Sequence, residues 1–302
     1  MLKNTLFSLI VCAMLLSPLT VFAQFASEEE YRAYLFALIE MLQQQILLLQ
    51  QDLSEPAEDD HLVVNTDIGD FESFLIGDTS DIKAWYQLAE PGSTAGIADK
   101  EHRRYFSRFF DIVPDEYDHF FVDLLVFEDR GQIFDGFVET VPPYRADTWR
   151  LGVNDSIFNV PPSSNVVAEL FVHEFAHIIS YEGLAGTTEP QNATCHEYFS
   201  ELGCPPANSY LLDFIDEFWT EADMDAAAES NDPDWLWTNR ERQENFVSNY
   251  AATDPAEDFA ESFTVFVIDG RADGDDLADE KVNYFFKFEK MEELRELIRD
   301  EL

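Results

Sequence analysis

Apolar residues fall along this chain in three distinct patterns. From Leu6 to Val21 they form an almost unbroken run, interrupted by Ser17-Pro18. Further on, Leu35, Ile39, Leu42, Ile46, Leu49 and Leu53 recur at alternating steps of four and three, which predicts a helix over 27–53. Ser27 can cap it, Glu30 stands three residues later as in a capping box, and Glu28 and Glu29 suit the positive end of the helix dipole. The repeat puts Leu and Ile in the two seam positions of a parallel dimer but covers under three heptads. Self-association through this helix and packing on its own domain both stay open. Residues 54–61, with Pro56 and four acidic residues, read as a linker.

The third pattern is a body over 62–302 with shorter alternations. A helix is predicted over 98–110, carrying Lys100, Arg103, Arg104 and Arg108 on what reads as a solvated face. The β-prone runs 120–127 and 134–141, separated by Asp129-Arg130-Gly131-Gln132, predict a hairpin, and 149–158 predicts another strand. Pro161-Pro162-Ser163-Ser164-Asn165 breaks that run and offers capping groups to a helix over 166–181. A loop follows over 183–206, then helices over 209–228, 255–268 and 280–301. Strands first and helices last is an α+β order, with a small mixed sheet and a C-terminal helical subdomain.

Composition changes this picture in three ways. The initial apolar run follows a basic residue, Lys3, and ends in Val21-Phe22-Ala23, compact at the two positions a signal peptidase reads. Residues 1–23 therefore read as a signal peptide cleaved before Gln24, and the protein as secreted; the run is short for a spanning helix, so no membrane association is expected after cleavage. Two cysteines then remain, Cys195 and Cys204, close enough in sequence to predict a local disulfide in an oxidising compartment. With 27 Phe the chain can build a large core, and a net charge of −43 excludes nucleic acid and anionic lipid surfaces as partners.

The chemistry concentrates in His173-Glu174-Phe175-Ala176-His177. Four residues apart on a helix, the two imidazoles emerge on one face about one turn apart and can reach a single Zn2+ ion at ~2.0–2.1 Å. Glu174, rotated by about 100° from His173, sits beside such a metal and can act as general base, then hand the proton to a leaving amine. Val167, Leu170, Phe171, Ile178 and Ile179 would bury the rest of the helix. A third protein ligand must come from elsewhere. The metzincin continuation needs Gly at 180 and His at 183, where this chain has Ser180 and Gly183, and His196 sits beside a cysteine in a loop. Residues 250–263 offer better. Asp254 can cap a helix with Pro255 at its first position, Glu257 and Glu261 share one face, and Phe259, Phe263, Phe266 and Val267 form its apolar stripe. Glu257 stands as third ligand, since a carboxylate on the inner side of so apolar a helix needs a cation. Glu261 is the fallback or an outer partner, and Glu257 could alternatively complete a capping box with Asp254.

Over residues 169–181 and 250–267 the chain resembles the gluzincins among zincin metallopeptidases, and more closely the anthrax toxin lethal factor catalytic domain family. The likeness lies in the two-histidine helix and in Tyr250-Ala251 seven residues ahead of Glu257-Asp258-Phe259-Ala260-Glu261. The resemblance implies a zincin-like fold, zinc bound by Glu257, and a Tyr250 hydroxyl donating to the oxyanion of a tetrahedral intermediate. The expected activity is a secreted zinc peptidase acting on a protein or peptide substrate that pairs along a sheet edge at 149–154. The rival readings are a catalytically silent zinc-binding or adhesion module and a hydrolase of non-peptide amides such as cell-wall material. Weaker signals are Asn192-Ala193-Thr194, a glycosylation pattern, and 269–280, a calcium-loop pattern with Arg271 where an oxygen ligand belongs.

Overall fold

Among the described residues the chain forms four short strands and seven α-helices, and the pairing of the strands departs from the expected one. The computed structural model describes residues 82–128, 135–141, 147–182, 198, 204–229 and 243–302, all within one unit, Asp60–Leu302. The expected signal peptide, the 27–53 helix, the acidic linker, Cys195, His196 and Asn192 lie outside the described residues. Cys204 is buried and disulfide-bonded. Among the described residues no helix is long and apolar enough to cross a membrane.

In chain order the elements are β1 (Ile82–Gln87), α1 (Lys100–Ile112), β2 (Phe121–Phe127), β3 (Gly136–Thr140), β4 (Trp149–Asn154), α2 (Asn165–Ser180), α3 (Tyr210–Phe218), α4 (Glu221–Glu229), α5 (Pro255–Ile268), α6 (Leu277–Tyr284) and α7 (Glu289–Glu301). The class is α+β, with one four-stranded mixed sheet in the order β1-β2-β4-β3. β1 and β2 are antiparallel, β2 and β4 parallel, β4 and β3 antiparallel.

This order corrects two expectations. The runs 120–127 and 134–141 are both strands but not a hairpin, because β4 inserts between them. β4 is therefore interior, hydrogen-bonded on both sides, and the edge facing the helices is β3. A substrate cannot pair along 149–154. The register Phe137↔Gly152 and Glu139↔Arg150, with Asp135 O accepting from Asn154 N (2.8 Å) and Val141 N donating to Thr148 O (2.9 Å), turns the odd-numbered backbone groups of β3 toward β4. In an antiparallel ladder the alternate residues, Gly136, Val138 and Thr140, then direct theirs away from it.

Helix ends follow local capping. Asp99 accepts from Glu101 N and His102 N, so α1 starts at Lys100 rather than 98. Ser164 caps α2, and Asp254 with Pro255 starts α5 as its sequence predicts. The single helix expected over 209–228 is broken at Trp219, whose extended backbone lets its indole N–H reach Asp258 Oδ2 at 2.8 Å. The helix expected over 280–301 starts earlier, capped by Asp276, and is interrupted by a 3-10 turn at Phe285–Lys287. The strand expected to reach 158 stops at Asn154, whose side chain caps the 3-10 turn Asp155–Asn159.

Val138, Leu151, Val153 and Val126 join one core with α2, whose Phe171 and Phe175 are fully buried. Each such side chain stabilises the fold by roughly 1.5–3 kcal/mol. Phe214, Phe259, Phe263 and Phe285 form a T-shaped aromatic stack joining α3, α5 and the 3-10 turn. On the opposite sheet face, Arg150 is buried between Asp123 and Glu139 of the flanking strands. Burial opposes its charge, but those two carboxylates outweigh it and raise its pKa.

Candidate metal centre

α2 and α5 pack side by side and meet at the predicted residues. Glu257 faces His177 and His173, and one turn on Glu261 faces His173, so the two helices run antiparallel here. His173 Nε2 lies 3.1 Å from Glu257 Oε2 and 3.2 Å from His177 Nε2, and His177 Nε2 lies 3.4 Å from Glu257 Oε2. Three ligands at ~2.0–2.1 Å on a tetrahedral ion are about 3.3 Å apart, so the triangle has the size of one face of a zinc tetrahedron. Among the described residues this is the one group of three or more His, Cys, Asp and Glu side chains that could hold a metal ion. The acidic residues of 269–280 form no such group.

The hydrogen bonds around the triangle show why it suits a cation. Glu261 Oε1 accepts from His173 Nδ1 at 2.9 Å, and its other oxygen accepts from Ser248 Oγ at 2.7 Å. A proton on Nδ1 leaves the lone pair of His173 on Nε2, aimed at a carboxylate oxygen and at a second imidazole nitrogen. Electron-rich atoms that close repel unless positive charge sits among them. The protein's own electrostatics register the same demand. Burial disfavours a charged His173, yet Glu257 and Glu261 outweigh it and hold its pKa well above the usual imidazole range. Burial likewise disfavours an ionised Glu257, yet His177 and His173 pull its pKa far below the usual carboxylate range. The donor set of two imidazoles and a carboxylate fits zinc, and its ligand atoms already converge.

Glu174 is 3% exposed and lies beside the triangle, not in it. Burial raises its pKa, partly offset by His173, His177 and a backbone hydrogen bond from Val138 on the free edge of β3. Its Oε2 has no hydrogen-bond partner among the described residues. Buried carboxylate oxygens without partners are costly, so one facing a cleft marks a place for something that comes and goes. Gly136 packs closely on the same carboxylate: a Cβ there would lie 3.1 Å from Leu170 Cδ1 and 3.4 Å from Glu174 Oε1. Tyr250 lines the same cleft, its ring 5.9 Å from that of His173. Burial, with Glu257 and Glu174 nearby, pushes its phenol pKa far up, so the hydroxyl keeps its proton.

All the site residues expected from sequence, His173, Glu174, His177, Tyr250, Glu257 and Glu261, therefore meet in one place. Glu257 turns Oε2 of its carboxylate to both histidines. Glu261 contacts the far side of His173 and stands behind the triangle. Sequence reasoning missed Ser248, because a serine outside any periodic element carries no signal. It also missed the support behind Glu257: Asp258 is buried against Lys281 Nζ (2.6 Å) and the Trp219 indole, tying α5 to α6 and α3. Ser248→Ala, which frees one oxygen of Glu261, should weaken zinc binding by about tenfold, the low end for an outer-shell partner, measured by competition with a chelating dye. Unchanged affinity would mean that Ser248 does not orient the histidine.

The chain matches no protein family, no curated protein and no solved structure in comparisons with each.

Proposed function

We propose that this protein is a secreted zinc-dependent peptidase of the zincin type, with His173, His177 and Glu257 as metal ligands and Glu174 as general base. One observation carries the reading: Glu174, a buried carboxylate with an unpartnered oxygen, lines a cleft beside a ligand triangle of zinc dimensions. A purely structural site has no use for that carboxylate. The zincin-like assignment of the fold rests on the two motifs and on a mixed sheet whose antiparallel edge strand lies against the two-histidine helix.

Zinc, when held by these residues, supplies Lewis acidity that polarises the substrate carbonyl and acidifies the attacking water. The chain does the rest. Glu174, its proton affinity raised by burial, takes the proton of the water and passes it to the leaving amine. Tyr250 keeps its proton and donates a hydrogen bond to the developing oxyanion. Glu261, steadied by Ser248, fixes the tautomer and orientation of His173. On β3 the outward backbone groups of Gly136 and the carbonyl of Val138 offer an extended substrate main-chain partners, the Val138 amide being held by Glu174.

The test uses the purified protein with casein and with mixed peptides. Chelation should abolish turnover, stoichiometric zinc should restore it, and zinc at a hundred times its Kd should add ~2.7 kcal/mol to unfolding stability. A zinc-loaded protein that cleaves neither, or turnover indifferent to chelation, would remove the peptidase reading; cleavage of peptidoglycan fragments but not casein would transfer it to non-peptide amides.

A further inference from the structure

The cleft that opens on Glu174 extends well past the reacting groups. It encloses about 520 Å³, enough for a long side chain beside the reacting bond. Its two long walls are single faces of the antiparallel helices, each continuing outward from a site residue. On α2 the face steps back from His173 to Leu170, Glu169 and Val166; on α5 it steps forward from Glu261 to Thr264, Val265 and Ile268. Beyond His173, Glu174 and Glu261 the walls carry apolar side chains at Val166, Leu170, Val265 and Ile268, and Val166 is 51% exposed although it is a large hydrophobic residue. The described rim is acidic at three points. Glu169 from α2, Asp269 from the end of α5 and Asp135 ahead of β3 are all exposed, and among the described residues no lysine or arginine lines the cleft. None of the three rim carboxylates forms an ion pair among the described residues, whereas Glu261 is already engaged by His173 and Ser248.

Apolar wall positions that lead out to unpaired carboxylates match one kind of side chain: a hydrocarbon stem ending in a cation. A neutral aliphatic side chain would fill the walls and leave the rim unused. An acidic one would meet like charge from three elements. We infer that the cleft is a specificity subsite for lysine or arginine at the residue flanking the scissile bond, with Leu170, Val265 and Ile268 holding the stem and Glu169, Asp269 and Asp135 the charge. This rests on the peptidase reading above and adds the substrate class. Exposed pairs are individually weak and screened by salt, so the selectivity comes from their sum and should fall as ionic strength rises.

The experiment uses full-length, zinc-loaded protein and three uncleavable ketomethylene peptides that differ only at the residue flanking the isostere: lysine, norleucine or glutamate. Calorimetry at low ionic strength should find the lysine peptide bound about five- to tenfold more tightly than the norleucine peptide, with glutamate weakest. The Glu169→Gln/Asp269→Asn protein, altered at two exposed positions, should bind lysine and norleucine peptides about equally. Norleucine binding as tight as lysine, a lysine preference that survives in the double variant, or no binding of any of the three would overturn the subsite. Casein turnover, run in parallel, separates this from the broader proposal. Cleavage without a basic preference sinks only the subsite, and a lysine preference in a protein that cleaves nothing sinks only the peptidase.

Discussion

Replacing Glu174 by glutamine should leave zinc bound one to one and lower turnover by about a hundred- to ten-thousand-fold, the range for loss of a general base. The substitution keeps the side-chain shape and an oxygen for the Val138 amide, so the β3 edge stays where it is. It removes only the ability to accept a proton. The carboxylate lies outside the ligand triangle, so metal affinity should change little. Metal content by emission spectroscopy and initial rates on a fluorogenic peptide measure the two quantities on one sample. Turnover within tenfold of wild type would show that Glu174 is not the base, whatever its burial.

Glu257→Ala should do the reverse. It deletes the one anionic ligand and leaves two neutral imidazoles, so zinc affinity should drop by more than the ~10–100-fold typical of outer-shell partners. Turnover should disappear with the metal and return in part at high zinc. Glu261 still contacts the other nitrogen of His173. The fold should survive, because α5 is anchored by Phe259, Phe263 and Phe266 and by the buried Asp258–Lys281 pair, none of which involves Glu257. A Glu257→Ala protein that holds zinc as tightly as wild type would move the third ligand elsewhere.

The site was legible in the sequence to the extent that its geometry is local. Two histidines four apart, a capped helix with glutamates on one face, and a tyrosine seven residues upstream are spacing statements, and helical periodicity turns spacing into direction. The caps at Ser164 and Asp254 and the proline at 255 likewise act within one turn. What failed was what only tertiary structure decides. The apolar runs at 120–127 and 134–141 carry no record of which strand lies between them, so the hairpin and the substrate edge were both misplaced. β1 was not anticipated at all: Ile82-Lys83-Ala84-Trp85-Tyr86-Gln87 is short and mixed, and becomes a strand through its antiparallel pairing with β2. Lys281 shows the same limit from the other side. Its charge suggests solvent, yet it is 0% exposed because Asp258 and the Asn245 carbonyl receive its ammonium. The break at Trp219 has that same cause, an indole drawn to a carboxylate thirty-nine residues away.

The most direct test is diffraction from zinc-soaked crystals, recorded on both sides of the zinc absorption edge. One anomalous peak should lie ~2.0–2.1 Å from His173 Nε2, His177 Nε2 and a Glu257 oxygen, with its remaining coordination position facing the cleft. A peak elsewhere, such as among the aspartates of 273–279 or at Cys204, or a fourth protein ligand closing the ion off from the cleft, would contradict it.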